Sequence, residues 1–93
     1  MFKQEWLRDL QDKLHKYKSK YEYTLITPDN ATDIKNEFIN IINNFRITYN
    51  LNIPQITYGR NSMFVTISDG QTIATIELSA KFDNKGLTIN SSK

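Results

Sequence analysis

The stretch PDNATDIKNEFINIINNF, residues 28–45, places Ala31, Ile34, Phe38, Ile41, Ile42 and Phe45 at three- and four-residue steps, and Tyr49 continues the row. Steps of that size return to one side of a helix, so the stretch predicts an amphipathic helix with a single apolar stripe. Thr27 ahead of Pro28 reads as an N-cap followed by proline at the first helical position, and Asp29 and Asp33 suit the positive end of the helix. Thr48, Tyr49 and Asn50 are weak helix formers and blur the other end.

Beyond Ile53 the apolar period falls to two, the signature of strands with one buried face. Ile56 and Tyr58 share a side, as do Met63, Val65 and Ile67, with Phe64, Thr66 and Ser68 opposite. Asp69-Gly70 is a hairpin signal. The next strand turns Ala74, Ile76, Leu78, Ala80 and Phe82 inward and Ile73, Thr75, Glu77, Ser79 and Lys81 outward. After the turn Asp83-Asn84-Lys85-Gly86, Leu87 and Ile89 resume the inward side, and Asn90 to Lys93 is expected to fray.

Ahead of the central helix, Phe2, Trp6, Leu7, Leu10, Leu14, Tyr17 and Tyr21 make a second apolar stripe, predicting a helix over residues 2–20. Asp9 precedes Lys13, and Asp12 precedes Lys16, by four residues; His15, Lys18 and Lys20 have no acid at that offset. Glu22 to Thr27 is rich in residues that favour pleated structure and is expected to form a short strand.

The resulting fold class is α+β. One domain spanning residues 1–93 packs two helices on one face of a three- or four-stranded antiparallel meander, in the order helix, strand, helix, strands. That order is distantly similar to the winged-helix family, where a strand separates the first helix from the next and a hairpin wing follows. The similarity stops at Ala31 to Phe45, which has no Gly or Pro to break it into a helix-turn-helix, so it is an analogy of element order alone.

Composition narrows the function classes. The 93 residues contain no cysteine, which excludes disulfides, thiolate zinc sites and thiol chemistry. No apolar run approaches the roughly 18 residues of a membrane span, and Lys3, Glu5, Arg8 and Asp9 interrupt any signal-peptide core, so a cytoplasmic protein with no membrane partner is expected. Ile, Asn and Lys supply 31 of the 93 residues, a bias that fits an A/T-rich coding sequence such as that of a low-GC bacterium, a phage or a plasmid. His15 lies among lysines with no triad partner, Asp69 and Asp83 belong to turns, and the three glycines are isolated, so neither an acid–base pair nor a phosphate loop emerges. A non-enzymatic protein without a cofactor is expected.

The net charge of +2 is too small to identify a nucleic-acid partner, so its distribution decides. Lys13, Lys16, Lys18 and Lys20 interleave with Tyr17, Tyr21 and Tyr23, and no acid lies between Lys13 and Lys20. Arg60 and Asn61 occupy a turn, and their side chains suit bidentate contacts with guanine and adenine edges. These six basic and amide residues, Lys13, Lys16, Lys18, Lys20, Arg60 and Asn61, are the candidate DNA-binding set of a small DNA-associated accessory protein encoded by a plasmid or phage. The competing expectation is a protein-binding inhibitor or adaptor of a mobile element. It would use the uncovered sheet face of Thr57, Phe64, Thr66, Ser68, Thr75, Ser79, Lys81 and Thr88, or an exposed part of a helix, and an apolar patch near Phe64 and Ile73 would favour it. Ile39 and Ile47, off the main stripe, point to a wider helix contact or a homodimer.

Overall fold

The computed structural model describes the backbone of residues 2–92 and the side chains of residues 5–91; the Phe2 side chain and Lys93 lie outside the described residues. Helix α1 spans Phe2–Lys20 and helix α2 spans Pro28–Thr48, followed by strands β1 (Gln55–Tyr58), β2 (Ser62–Ser68), β3 (Ile73–Ser79) and β4 (Thr88–Ser92). The strands form one antiparallel sheet in the order β1-β2-β3-β4. Both helices pack on the same face.

Local chemistry sets the ends of α2. The Thr27 hydroxyl accepts from the Asn30 amide at 3.3 Å while the Asn30 carboxamide oxygen accepts from the Thr27 amide at 2.8 Å, a reciprocal cap with Asn in the usual Glu or Gln position. At the other end Asn50 adopts φ 55°, its amide donates to Ile47 O at 3.2 Å, and the Leu51 amide donates to Arg46 O at 2.8 Å. That is a Schellman closure with Asn as its left-handed residue. The closure carries the helix three residues past Phe45 and drops Leu51 into the core.

The core is the meeting of three apolar rows. Trp6, Leu10, Leu14 and Tyr17 come from α1, and Ile34, Phe38, Ile42 and Phe45 from α2. Met63, Val65 and Ile67 of β2 lie opposite Leu78, Ile76 and Ala74 of β3. Aromatic contacts run along the helix pair, from Trp6–Phe45 at 6.2 Å between centroids to Tyr17–Phe38 at 5.7 Å. The Tyr17 hydroxyl donates to Ile34 O at 2.7 Å, so its one polar atom is satisfied inside the core. Trp6 Nε1 donates to Asp69 Oδ2 at 3.2 Å, and Asp69 Oδ1 accepts from the Gln71 and Thr72 amides, so one carboxylate shapes the β2–β3 turn and ties α1 to it.

Three sequence expectations are corrected. Residues 22–27 do not form a strand: Leu25 makes a single bridge to Lys85, and the order is helix, helix, strands, which removes the element that carried the winged-helix likeness. Asn90 and Ser91 do not fray; they pair with Glu77 and Ile76, and Gln11 on α1 donates to the Ser91 hydroxyl at 2.7 Å. Phe82 does not face the core. Strand β3 stops at Ser79, the alternation lapses with it, and the ring is 59% exposed. Of the two isoleucines off the main stripe, Ile39 packs at the edge of the core and Ile47 is exposed.

Candidate nucleic-acid interface

In an antiparallel meander the first and third connections fall at the same end of the sheet. The turn Gly59-Arg60-Asn61 therefore lies beside the long connection between β3 and β4. That connection is stitched to the segment between the helices. The Ile26 amide donates to Asn84 O at 2.9 Å, the Asp83 amide to Ile26 O at 2.8 Å and the Gly86 amide to Thr24 O at 2.9 Å. The result is a cleft of about 520 Å³ lined by Arg60, Asn61, Lys81, Asn84, Lys85 and Thr88, among other residues. Among the described residues, no carboxylate lines it.

A second cleft, about 240 Å³, continues this surface. Lys85, Gly86 and Leu87 form its shared wall, and His15, Lys18, Ser19 and Glu22 its other side. Lys85 thus joins the Arg60 turn to the C-terminal part of α1, giving one basic belt across the end of the molecule: Arg60, Lys81, Lys85, Lys18. Glu22 within the second cleft, the exposed Asp83 between Lys81 and Lys85, and the Glu77 carboxylate bonded to Ser62 and Ser79 of the first cleft offset part of that charge.

The six expected residues therefore separate. Lys18, Arg60 and Asn61 are on the belt. Lys13, Lys16 and Lys20 lie on the other flank of α1, along the groove it makes with α2, where Tyr17, Glu37, Ile41 and Asn44 are their neighbours. Helical spacing explains the split, because residues 13, 16 and 20 follow one row and residues 15 and 18 another. Lys81 and Lys85 are the belt residues that sequence reasoning missed.

Lys20 is also committed elsewhere. Its ammonium lies 3.0 Å from both Glu37 carboxylate oxygens, and the Tyr21 hydroxyl donates to the same carboxylate. Hydrogen bonding from Tyr21, then from Lys20, holds the Glu37 carboxyl below its usual range. The same bonds to Glu37 raise the Lys20 ammonium and the Tyr21 phenol. Asp9, expected to pair with Lys13, instead accepts from the Tyr49 hydroxyl, which raises that phenol. Lys16 does pair with Asp12, at 4.0 Å on an exposed face, an interaction worth about a few tenths of a kcal/mol.

Compared with protein families, curated proteins and solved structures, the chain matches none. Among the described residues no cluster of His, Cys, Asp or Glu is placed to hold a metal ion, and no helix is long and apolar enough to cross a membrane.

The Lys20–Glu37–Tyr21 cluster has a pH signature. Glu37 is lowered in the fold, so the stability it contributes is fully present above its unfolded pKa and is lost as pH falls through the lower, folded value. Lys20 and Tyr21 are raised, so their share is present below their unfolded values and is lost only in strong alkali. Glu37→Gln should accordingly lose less stability than the wild type between about pH 6 and pH 3, measured by urea melts at each pH. Identical losses would show that the cluster contributes nothing.

Proposed function

We propose that this is a small DNA-binding accessory protein with no enzymatic role, in keeping with a plasmid or phage coding bias. One observation carries the reading: Arg60, Lys81 and Lys85 line one cleft, beside which the Glu77 carboxylate is held by the Ser62 and Ser79 hydroxyls, and Lys85 extends the cleft to Lys18. Guanidinium and ammonium groups spaced along a surface suit successive phosphates, and Asn61 at the turn offers donors and acceptors to a base edge. The competing protein-binding reading would use the open sheet face or an exposed part of a helix, and an apolar patch near Phe64 and Ile73 would favour it. Phe64 lies opposite Glu77 and Ile73 opposite Ser68, with the Thr66–Thr75 pair between them, so the two exposed apolar residues are divided by polar ones.

A fluorescence-anisotropy titration against mixed-sequence DNA across a salt series tests the proposal. Dissociation constants near about 10⁻⁴ to 10⁻⁶ M at physiological salt are expected for non-specific binding. Lys18→Gln with Lys85→Gln should flatten the log–log salt dependence by up to about 0.9 for each duplex phosphate no longer neutralised. Lys13→Gln with Lys16→Gln, on the other flank of α1, should leave it nearly unchanged. Arg60→Ala should cost about 1 to 3 kcal/mol on a preferred site and less on random sequence if the turn reads a base. Unchanged anisotropy up to about 1 mM protein, well above that range, would overturn the reading.

A further inference from the structure

Behind the Arg60 turn lies an apolar cleft of about 210 Å³ on the helix side of the sheet, lined chiefly by Ile34, Tyr58, Met63, Leu78, Phe82 and Leu87. It adjoins the cationic cleft directly, because Asn61, Ser62, Ala80 and Leu87 line both. Two of its walls are aromatic rings that the fold leaves in solvent: Tyr58 is 65% exposed and Phe82 59% exposed. The Lys35 ammonium sits 5.7 Å from the centroid of the Tyr58 ring.

Exposed rings gain a monomer of this size little stability, and here both line one cleft that shares a wall with the cleft of three cations. We infer that the paired clefts hold an unpaired nucleotide of a single DNA strand, with its base against Tyr58 and Phe82 and its phosphates along Arg60, Lys81 and Lys85. Aromatic platforms beside a cationic groove are the general means of holding single strands, since every base has a face to stack. The volume argues for one ring system, being below the roughly 300 to 1,000 Å³ of sites that take drug-sized ligands. An aliphatic occupant would gain nothing from the cationic neighbour, whereas a nucleotide uses both clefts at once. Asn61, on the shared wall, brings an amide to the base edge, while the Ser62 hydroxyl is turned to Ser79 and Glu77 on the open face. In a duplex the bases are stacked and paired, so only the phosphates could engage.

This inference rests on the DNA-binding reading above, and the experiment separates the two. A labelled mixed-sequence oligonucleotide of about 12 nucleotides, within the usual site sizes for single strands, is titrated alone and as a duplex at equal salt, with wild type, Tyr58→Ala, Phe82→Ala and Lys85→Gln. The single strand should bind more tightly than the duplex. Each aromatic substitution should weaken single-strand binding about five- to a hundredfold and leave duplex binding unchanged, while Lys85→Gln weakens both. Both rings are exposed, so the variants should keep the wild-type circular dichroism and melting midpoint. Single-strand affinity that survives both aromatic substitutions, or a duplex bound as tightly as the single strand, would overturn the inference while leaving DNA binding standing. Binding of neither form would overturn the DNA-binding reading itself.

Discussion

Ile76→Ala is expected to lower the unfolding free energy by about 2 to 5 kcal/mol, and Ser79→Ala, further along the same strand, by less than about 0.5 kcal/mol. Ile76 is fully buried, pairs with Val65 and Ser91 across the two neighbouring strands, and lies beneath both helices. Removing its side chain beyond Cβ leaves a cavity that a sheet fixed on both sides cannot collapse around. Ser79 points to the open face, where its hydroxyl lies 3.1 Å from the Ser62 hydroxyl and 3.2 Å from a Glu77 carboxylate oxygen. Water can replace both partners, so their net worth is small. Against a total stability of about 5 to 15 kcal/mol for a domain of this kind, the Ile76 loss is a large fraction. Urea melts with unchanged m-values measure both. Similar losses at the two positions would mean that the strand is in another register.

The register was readable because a slip of one residue would bury Glu77 and Lys81 in place of Ile76 and Leu78. The two helical stripes were readable for a similar reason, since α1 and α2 each bury one row against a sheet. What escaped was non-local. Tyr23 to Thr27 has strand-forming side chains, yet its partner is a connection far along the chain that offers main-chain bonds to Thr24 and Ile26 and no strand. Phe82 looked buried only because alternation was carried past Ser79, where pairing with β4 ends. Lys20 looked unpartnered because its acid, Glu37, lies on the other helix. A hint was present, for Glu37 lies between Ile34 and Ile41 at the margin of the apolar row, where an acid can reach a neighbouring helix.

The candidate site was half legible. Residue type marks Arg60, Asn61 and Lys18, but only nearness in sequence joins Lys13, Lys16 and Lys20 to Lys18, and a helix does not preserve that as nearness on a surface. Lys81 and Lys85 could have been found from topology alone. Once a four-stranded meander is expected, its first and third connections share an end, and the lysines flanking Asp83 must come near Arg60.

Gly86 sits where the β3–β4 connection meets the segment between the helices, and Gly86→Val is expected to destabilise the fold by about 2 to 6 kcal/mol. Two independent costs combine. Gly86 has φ 81°, in the left-handed region where a β-branched residue is strained by about 1 to 3 kcal/mol. A Cβ added there would also lie 2.9 Å from the Glu22 carbonyl oxygen, which is backbone and cannot rotate away, so crowding adds about 1 to 3 kcal/mol. The Gly86 amide donates to Thr24 O at the same junction, and a shift that relieves the clash would break that bond and move Lys85 away from Lys18. Gly70→Val is the control. Gly70 has φ 96° but nothing within 4 Å of an added Cβ, so only the backbone strain applies. Thermal and urea unfolding should therefore place Gly86→Val well below Gly70→Val, and DNA affinity should fall at Gly86 alone under conditions where both variants are folded. Equal destabilisation at the two glycines would show that the packing of the β3–β4 connection on the inter-helix segment does not hold the basic belt together.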